Sequence, residues 1–151
     1  MAPPRQQAAT GPGLQARRLA MLALFEEEFR PEQALAALDR LATEKGVPRA
    51  TSDRARKLVE GVLRHRADLD AEIARLAPAI PVSELGRVER TILRSAMFEV
   101  LYSAAIPDGE TIHDAVSLAR TYAGDAARRL VNGVLGNVAR STGSGASGRG
   151  A

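Results

Sequence analysis

Apolar residues recur at helical spacing almost without interruption from Leu14 to Val138, and proline and glycine fall between the phases. An apolar residue every third or fourth position buries one face of a helix and cannot bury one face of a strand, where the period is two. In the first stretch Met21, Phe25 and Phe29 fall four apart, with Leu22 and Leu24 broadening the stripe. Leu35, Leu38 and Leu41 make the second, opened by Pro31 in its first turn and stopped by Gly46 and Pro48. Ala55, Leu58, Val59, Val62 and Leu63 follow, and Leu69, Ile73 and Leu76 run on to Pro78. Val88, Ile92, Ala96, Met97 and Val100 lie inside the longest expected helix. Ile112, Ala115, Val116, Ala119 and Tyr122 form the next stripe, and Leu130, Val131, Val134 and Val138 the last. The pattern predicts an all-α chain with no sheet.

Composition agrees. Three Phe, two Tyr and no Trp leave the core to aliphatic residues, whereas strands favour aromatic and β-branched ones. With no cysteine, disulfides, thiolate metal sites and cysteine nucleophiles are excluded. The lack of thiols suits a cytoplasmic protein, and no apolar run reaches membrane-spanning length. Residues 1–13 read as a disordered arm and 141–151 as a flexible Ser/Gly tail, with one helical domain over 14–140. The net charge is only +3, but of 21 basic residues only Lys45 and Lys57 are lysine. Arginine favours bidentate phosphate contacts and stacking on bases; a GC-rich genome accounts for the same bias.

One hexamer occurs nearly twice. Leu58-Val59-Glu60-Gly61-Val62-Leu63 returns as Leu130-Val131-Asn132-Gly133-Val134-Leu135, each behind a basic pair. Glycine inside a helix costs about 1 kcal/mol against alanine, so both glycines are expected where another backbone crosses closely. Asn132-Gly133 between apolar runs is also a hairpin signal. The 3.6-residue period from Ala127 to Val138 and the shortness of the flanking runs argue for helix instead.

No catalytic constellation is present, and no enzyme activity, cofactor or metal is expected. His113 and Asp114 are adjacent, so on a helix they point about 100° apart and read as solvated first-turn residues. His65 lies between Arg64 and Arg66 near a helix end, where a cation complements the macrodipole. Arg87, Arg90 and Arg94 form a row that fits either an acidic partner or a salt-bridged surface. Arg17 and Arg18 sit in a stretch with no acidic residue before Glu26 and are candidate phosphate contacts. Arg120, Arg128 and Arg129 flank Tyr122, a pattern that can hold single-stranded RNA by charge and stacking; the phase of Tyr122 favours a place in the core.

Five pieces in order resemble the NusB family of transcription antitermination factors. Ala16-Arg17-Arg18-Leu19-Ala20 with Ala23-Leu24-Phe25 is similar to its opening helix. Leu58-Val59-Glu60-Gly61-Val62 with His65, Leu69-Asp70 and Ile73 resembles its middle, and Val88-Glu89-Arg90 with Ile92-Leu93-Arg94 its central segment. Ile112-His113-Asp114-Ala115-Val116 and Val131-Asn132-Gly133-Val134-Leu135 resemble its last two helices. The resemblance implies about seven helices in two small helical subdomains. It implies binding to the boxA element of ribosomal RNA leader transcripts together with the small ribosomal subunit protein NusE, on RNA polymerase. The family's RNA contacts map here onto Arg17 and Arg18, and onto Asp125, Arg128 and Arg129. Two alternatives stay open: a helical adaptor without RNA affinity, and an RNA-binding module of a ribosomal RNA methyltransferase system without catalysis of its own. Apolar helix faces serve a core and a dimer contact alike, so a homodimer is open too.

Overall fold

The computed structural model describes residues 12–103 and 108–150. They form six α-helices and one 3-10 turn, with no strand among them. The helices are α1 (Pro12–Phe29), α2 (Ala34–Lys45), α3 (Arg49–Leu76), α4 (Arg87–Tyr102), α5 (Asp108–Ala123) and α6 (Asp125–Gly150), and the 3-10 turn is Val82–Glu84. The all-helical expectation holds. The chain divides into two compact units, Met1–Arg64 and His65–Ala151. The helix expected over Leu69, Ile73 and Leu76 is the second half of α3, which reduces seven expected helices to six. α3 is interrupted at His65, whose φ of −109° and ψ of 17° are non-helical, so one hydrogen-bonded element carries two helical segments.

In the first unit α1 packs on α2. The buried face of α1 is Ala16, Leu19, Ala20, Met21, Ala23 and Leu24. It is rotated from the aromatic stripe: Phe29 is 57% exposed and meets Phe25 edge-to-face at 5.2 Å between centroids. Small alanines line the buried side, which lets a neighbouring helix approach closely, and the bulky rings are left on the flank. Pro31 lies ahead of α2 rather than in it. Glu32, at φ 70°, takes a left-handed turn before Gln33 reaches the N-cap position. At the other end Gly46, at φ 63°, closes α2, and the N–H of Val47 donates to the Ala42 carbonyl at 3.2 Å. A left-handed glycine at this position satisfies carbonyls that the helix end leaves open.

In the second unit α4 packs on both α5 and α6, and α5 packs on α6. Buried here are Leu69, Ile73, Ile92, Leu93, Met97, Leu118, Val131, Val134 and Leu135 among others. A fully buried side chain of this kind contributes roughly 1.5–3 kcal/mol. Two of the three arginines in the row on α4, Arg90 and Arg94, are structural. Arg94 holds Asp70 through Nε to Oδ1 at 2.6 Å and Nη2 to Oδ2 at 2.8 Å. Arg90 Nη1 donates to the Val82 and Leu85 carbonyls, both at 3.3 Å, and ties the 3-10 turn to α4. His113 is exposed, but Asp114 is buried, so the pair is not a solvated couple. Thr111, also buried, donates its hydroxyl to Glu99 Oε1 at 3.3 Å.

The two glycines of the repeated hexamer differ. Gly61 is buried, whereas Gly133 is exposed and a Cβ there would meet nothing within 4 Å. The close contact expected at Gly133 is therefore absent among the described residues. The buried stripe runs through Leu58, Val59 and Val62 in the first copy and through Val131, Val134 and Leu135 in the second. That small rotation carries the glycine out to solvent. Gly133→Ala should then stabilise the chain by about 0.5–1 kcal/mol, since alanine restricts the unfolded chain and costs nothing sterically. At this size the melting temperature should rise by about 1–4 °C. An unchanged or lower value would mean that the side-chain space at Gly133 is occupied in solution.

α6 is helical as far as Gly150, past the point where the composition marks a Ser/Gly tail. Of the arm expected over 1–13, Pro12 and Gly13 belong to α1, and residues 1–11 lie outside the described residues.

Candidate nucleic-acid interface

The junction between α5 and α6 is a single residue, Gly124, at φ 94°. Its N–H donates to the Arg120 carbonyl at 3.1 Å and closes α5. The chain then turns at once into α6, whose first residue is Asp125. A carboxylate in the first turn is favoured by the positive end of the helix. Three and four residues on, Arg128 and Arg129 lie one turn above it, within reach of the same side chain.

Asp125 uses both oxygens. Arg128 Nε donates to Oδ1 at 2.7 Å, and Arg129 Nη1 donates to Oδ2. The hydrogen bond from Arg128 holds the Asp125 carboxyl below its ordinary value against an opposing desolvation effect, and the fields of Arg128, Arg129 and Arg120 add to it. The reciprocal bond raises the Arg128 guanidinium above its ordinary value. The sign is that of a depressed carboxylate. The clasp is fully present above the unfolded carboxylate value and is lost as pH falls through the lower folded value. One carboxylate thus orients two guanidiniums and leaves the cluster with a net positive charge. Tyr122, expected in the core, is 42% exposed two residues before Gly124. The residue lies in the last turn of α5, which ends at Ala123, and its side chain is left partly in solvent.

Arg17 and Arg18 belong to the first unit, and Asp125, Arg128 and Arg129 to the second. The structure brings the latter three together. Arg17 is turned inward, 4% exposed, at i, i+3, i+4 and i+7 with the buried Ala20, Met21 and Leu24. Arg18 is half-buried. Adjacent residues on a helix point about 100° apart, so the two arginines cannot share one surface.

A second cluster was missed in the sequence. The His65 ring stacks on Tyr102 at 4.2 Å and on Phe98 at 5.9 Å between centroids, where α3 is interrupted. Phe98 and Tyr102 are i, i+4 partners on α4, which was the one available signal.

Among the described residues no group of His, Cys, Asp or Glu is placed to hold a metal ion, and no helix is long and apolar enough to cross a membrane. What the geometry defines is a helical binding module with a preoriented arginine pair. The chain belongs to the NusB family, whose profile matches residues 14–140. Family membership makes it a transcription antitermination factor, an RNA-binding adaptor and not an enzyme. It is 32% identical over 125 residues to the transcription antitermination protein NusB of Dehalococcoides mccartyi, covering 83% of this chain and 87% of that protein. It is 38% identical over 129 residues to NusB of Carboxydothermus hydrogenoformans, covering 82% and 90%. Among solved structures, the fold matches antitermination factors NusB and NusE in complex with dsRNA, with a TM-score of 0.79 at 28% identity over 86% of this chain and 97% of that one. It also matches T. maritima NusB, with a TM-score of 0.78 at 28% identity over 84% and 89%.

Proposed function

We propose that this chain binds boxA-type single-stranded RNA of ribosomal RNA leader transcripts together with NusE, within the RNA polymerase antitermination complex. The observation that carries this reading is the Asp125-oriented pair Arg128 and Arg129 at the start of α6. A preoriented guanidinium loses less freedom when it meets a phosphate, and its planar fork matches two phosphate oxygens. The exposed Tyr122 ring nearby offers a face for a base. A related NusB fold has been seen with NusE and dsRNA, which supports the kind of partner. In this reading Arg18 supplies a further phosphate contact from α1. Arg17 acts from its buried position by anchoring that helix.

Phosphate contacts release counterions, so affinity falls with salt by a logarithmic slope of about −0.7 per contact for a single strand. Removing Arg17 and Arg18 together should weaken binding across RNA sequences and flatten the slope by about one contact, from Arg18. Base preference should survive, because phosphate contacts position without specifying. The measurement is titration of boxA-type RNA into the NusE-bound chain at several salt concentrations, parent against double variant. An unchanged affinity and slope would leave Asp125, Arg128 and Arg129 as the whole of the site. No RNA binding by the parent, with NusE present, would favour a protein-binding adaptor.

A further inference from the structure

Beside the arginine clasp the second unit has a cleft of about 310 Å³ lined by His113, Val116, Ser117, Arg120, Thr121 and Arg128. Five of the six are on α5, at spacings of three and four that put them on one face. The other face of α5 is buried and includes Asp114, Ala115, Leu118 and Ala119. The open face of this helix therefore carries one imidazole, two hydroxyls and one guanidinium. Arg128 brings a second guanidinium from α6, held through its Nε by Asp125.

No carboxylate lines this cleft. The comparison within the molecule is a larger cleft, about 510 Å³, in the first unit. There Asp39 and Asp53 line the walls beside Arg49 and Arg56, and Arg56 pairs with Asp39. Positive charge in that cleft is neutralised from within. In the α5–α6 cleft the one nearby carboxylate, Asp125, pairs with Arg128 from outside the lining, so the two guanidiniums and the hydroxyl donors leave a concave surface with a net positive charge. Low-dielectric walls focus such a field and favour an anionic ligand. The volume lies at the lower end of the range for ligand clefts, about 300–1,000 Å³, and so suits one nucleotide-sized group.

We propose that this cleft holds a phosphodiester of the bound RNA, with Arg120 and Arg128 on its oxygens and Ser117 and Thr121 donating beside them. The strand then continues from the Arg128–Arg129 clasp along the open face of α5. This inference rests on the RNA-binding reading above and adds residues that the reading does not use.

The test is titration of boxA-type single-stranded RNA into the NusE-bound full chain at several salt concentrations. The variants are Arg120→Ala and Ser117→Glu, with Arg49→Ala, an exposed arginine of the other cleft, as control. Arg120→Ala should flatten the salt slope by about 0.7, one contact, and weaken binding several-fold. Ser117→Glu puts a carboxylate into the cleft and should weaken binding about tenfold or more, with circular dichroism and NusE affinity unchanged. Arg49→Ala should behave as the parent. If Arg120→Ala and Ser117→Glu both bind RNA like the parent, no phosphate enters the cleft and the inference fails while the RNA-binding reading stands. If Ser117→Glu instead loses NusE, the cleft serves a protein partner and the inference also fails. If the parent itself binds no RNA, the underlying reading fails first.

Discussion

Asp70→Ala is expected to lower the unfolding free energy by about 2–3 kcal/mol. Asp70 lies in the second half of α3 and receives two parallel hydrogen bonds from Arg94 of α4. The Arg94 side chain is only 10% exposed and that of Asp70 30%. Removing the carboxylate leaves a nearly buried guanidinium without its main counter-charge. Breaking a buried pair from one side costs about 3–5 kcal/mol when the remaining charge is stranded. The figure is lower here because Arg94 keeps other contacts and Asp70 reaches solvent. Replacing both residues by apolar ones, Asp70→Leu with Arg94→Met, should recover much of the loss, since the stranded charge is then gone. Urea denaturation measures all three variants, with equal m-values showing that the unfolded states are comparable. If Asp70→Ala unfolds at the parent midpoint, the pair is merely a surface contact.

Arg128→Glu should reduce affinity for boxA-type RNA on the order of a hundredfold at moderate salt, if the clasp is the phosphate site. The change removes one phosphate contact, places a carboxylate beside Asp125, and releases Arg129 from its orienting partner. Arg128→Ala should cost less, because it deletes the contact without adding repulsion. Stability is a separate readout. The Arg128–Asp125 bond is at the surface, so the fold should survive, and near-parental circular dichroism would show it. Parent-like RNA affinity in Arg128→Glu would remove the start of α6 from the interface and with it the main support for the proposed site.

Much of this was legible in the sequence, for definite reasons. Helix content follows from the apolar period, and the period survives from Leu14 to Val138 because each helix must bury one stripe. The stops are local chemistry as well: Gly46 closes α2 by taking a left-handed conformation that other residues resist. Asp125, Arg128 and Arg129 at i, i+3 and i+4 share one helix face by geometry alone, so their meeting needs no tertiary information.

Tertiary structure decided which stripe is buried and which charges are used. Arg17 and Arg18 are equivalent in composition, yet a rotation of 100° puts one inside and leaves the other partly in solvent. Gly61 and Gly133 lie in hexamers that differ only at Glu60 and Asn132, yet one is buried and the other open. Arg94 read as part of a surface row until Asp70, 24 residues earlier, met it across two helices. The sequence marks a helix end near His65, but only packing lays its ring on the rings of α4. In each case the outcome depends on a neighbour far along the chain. A sequence period specifies the angle between residues on one helix, while the direction in which that helix faces is set by what packs against it.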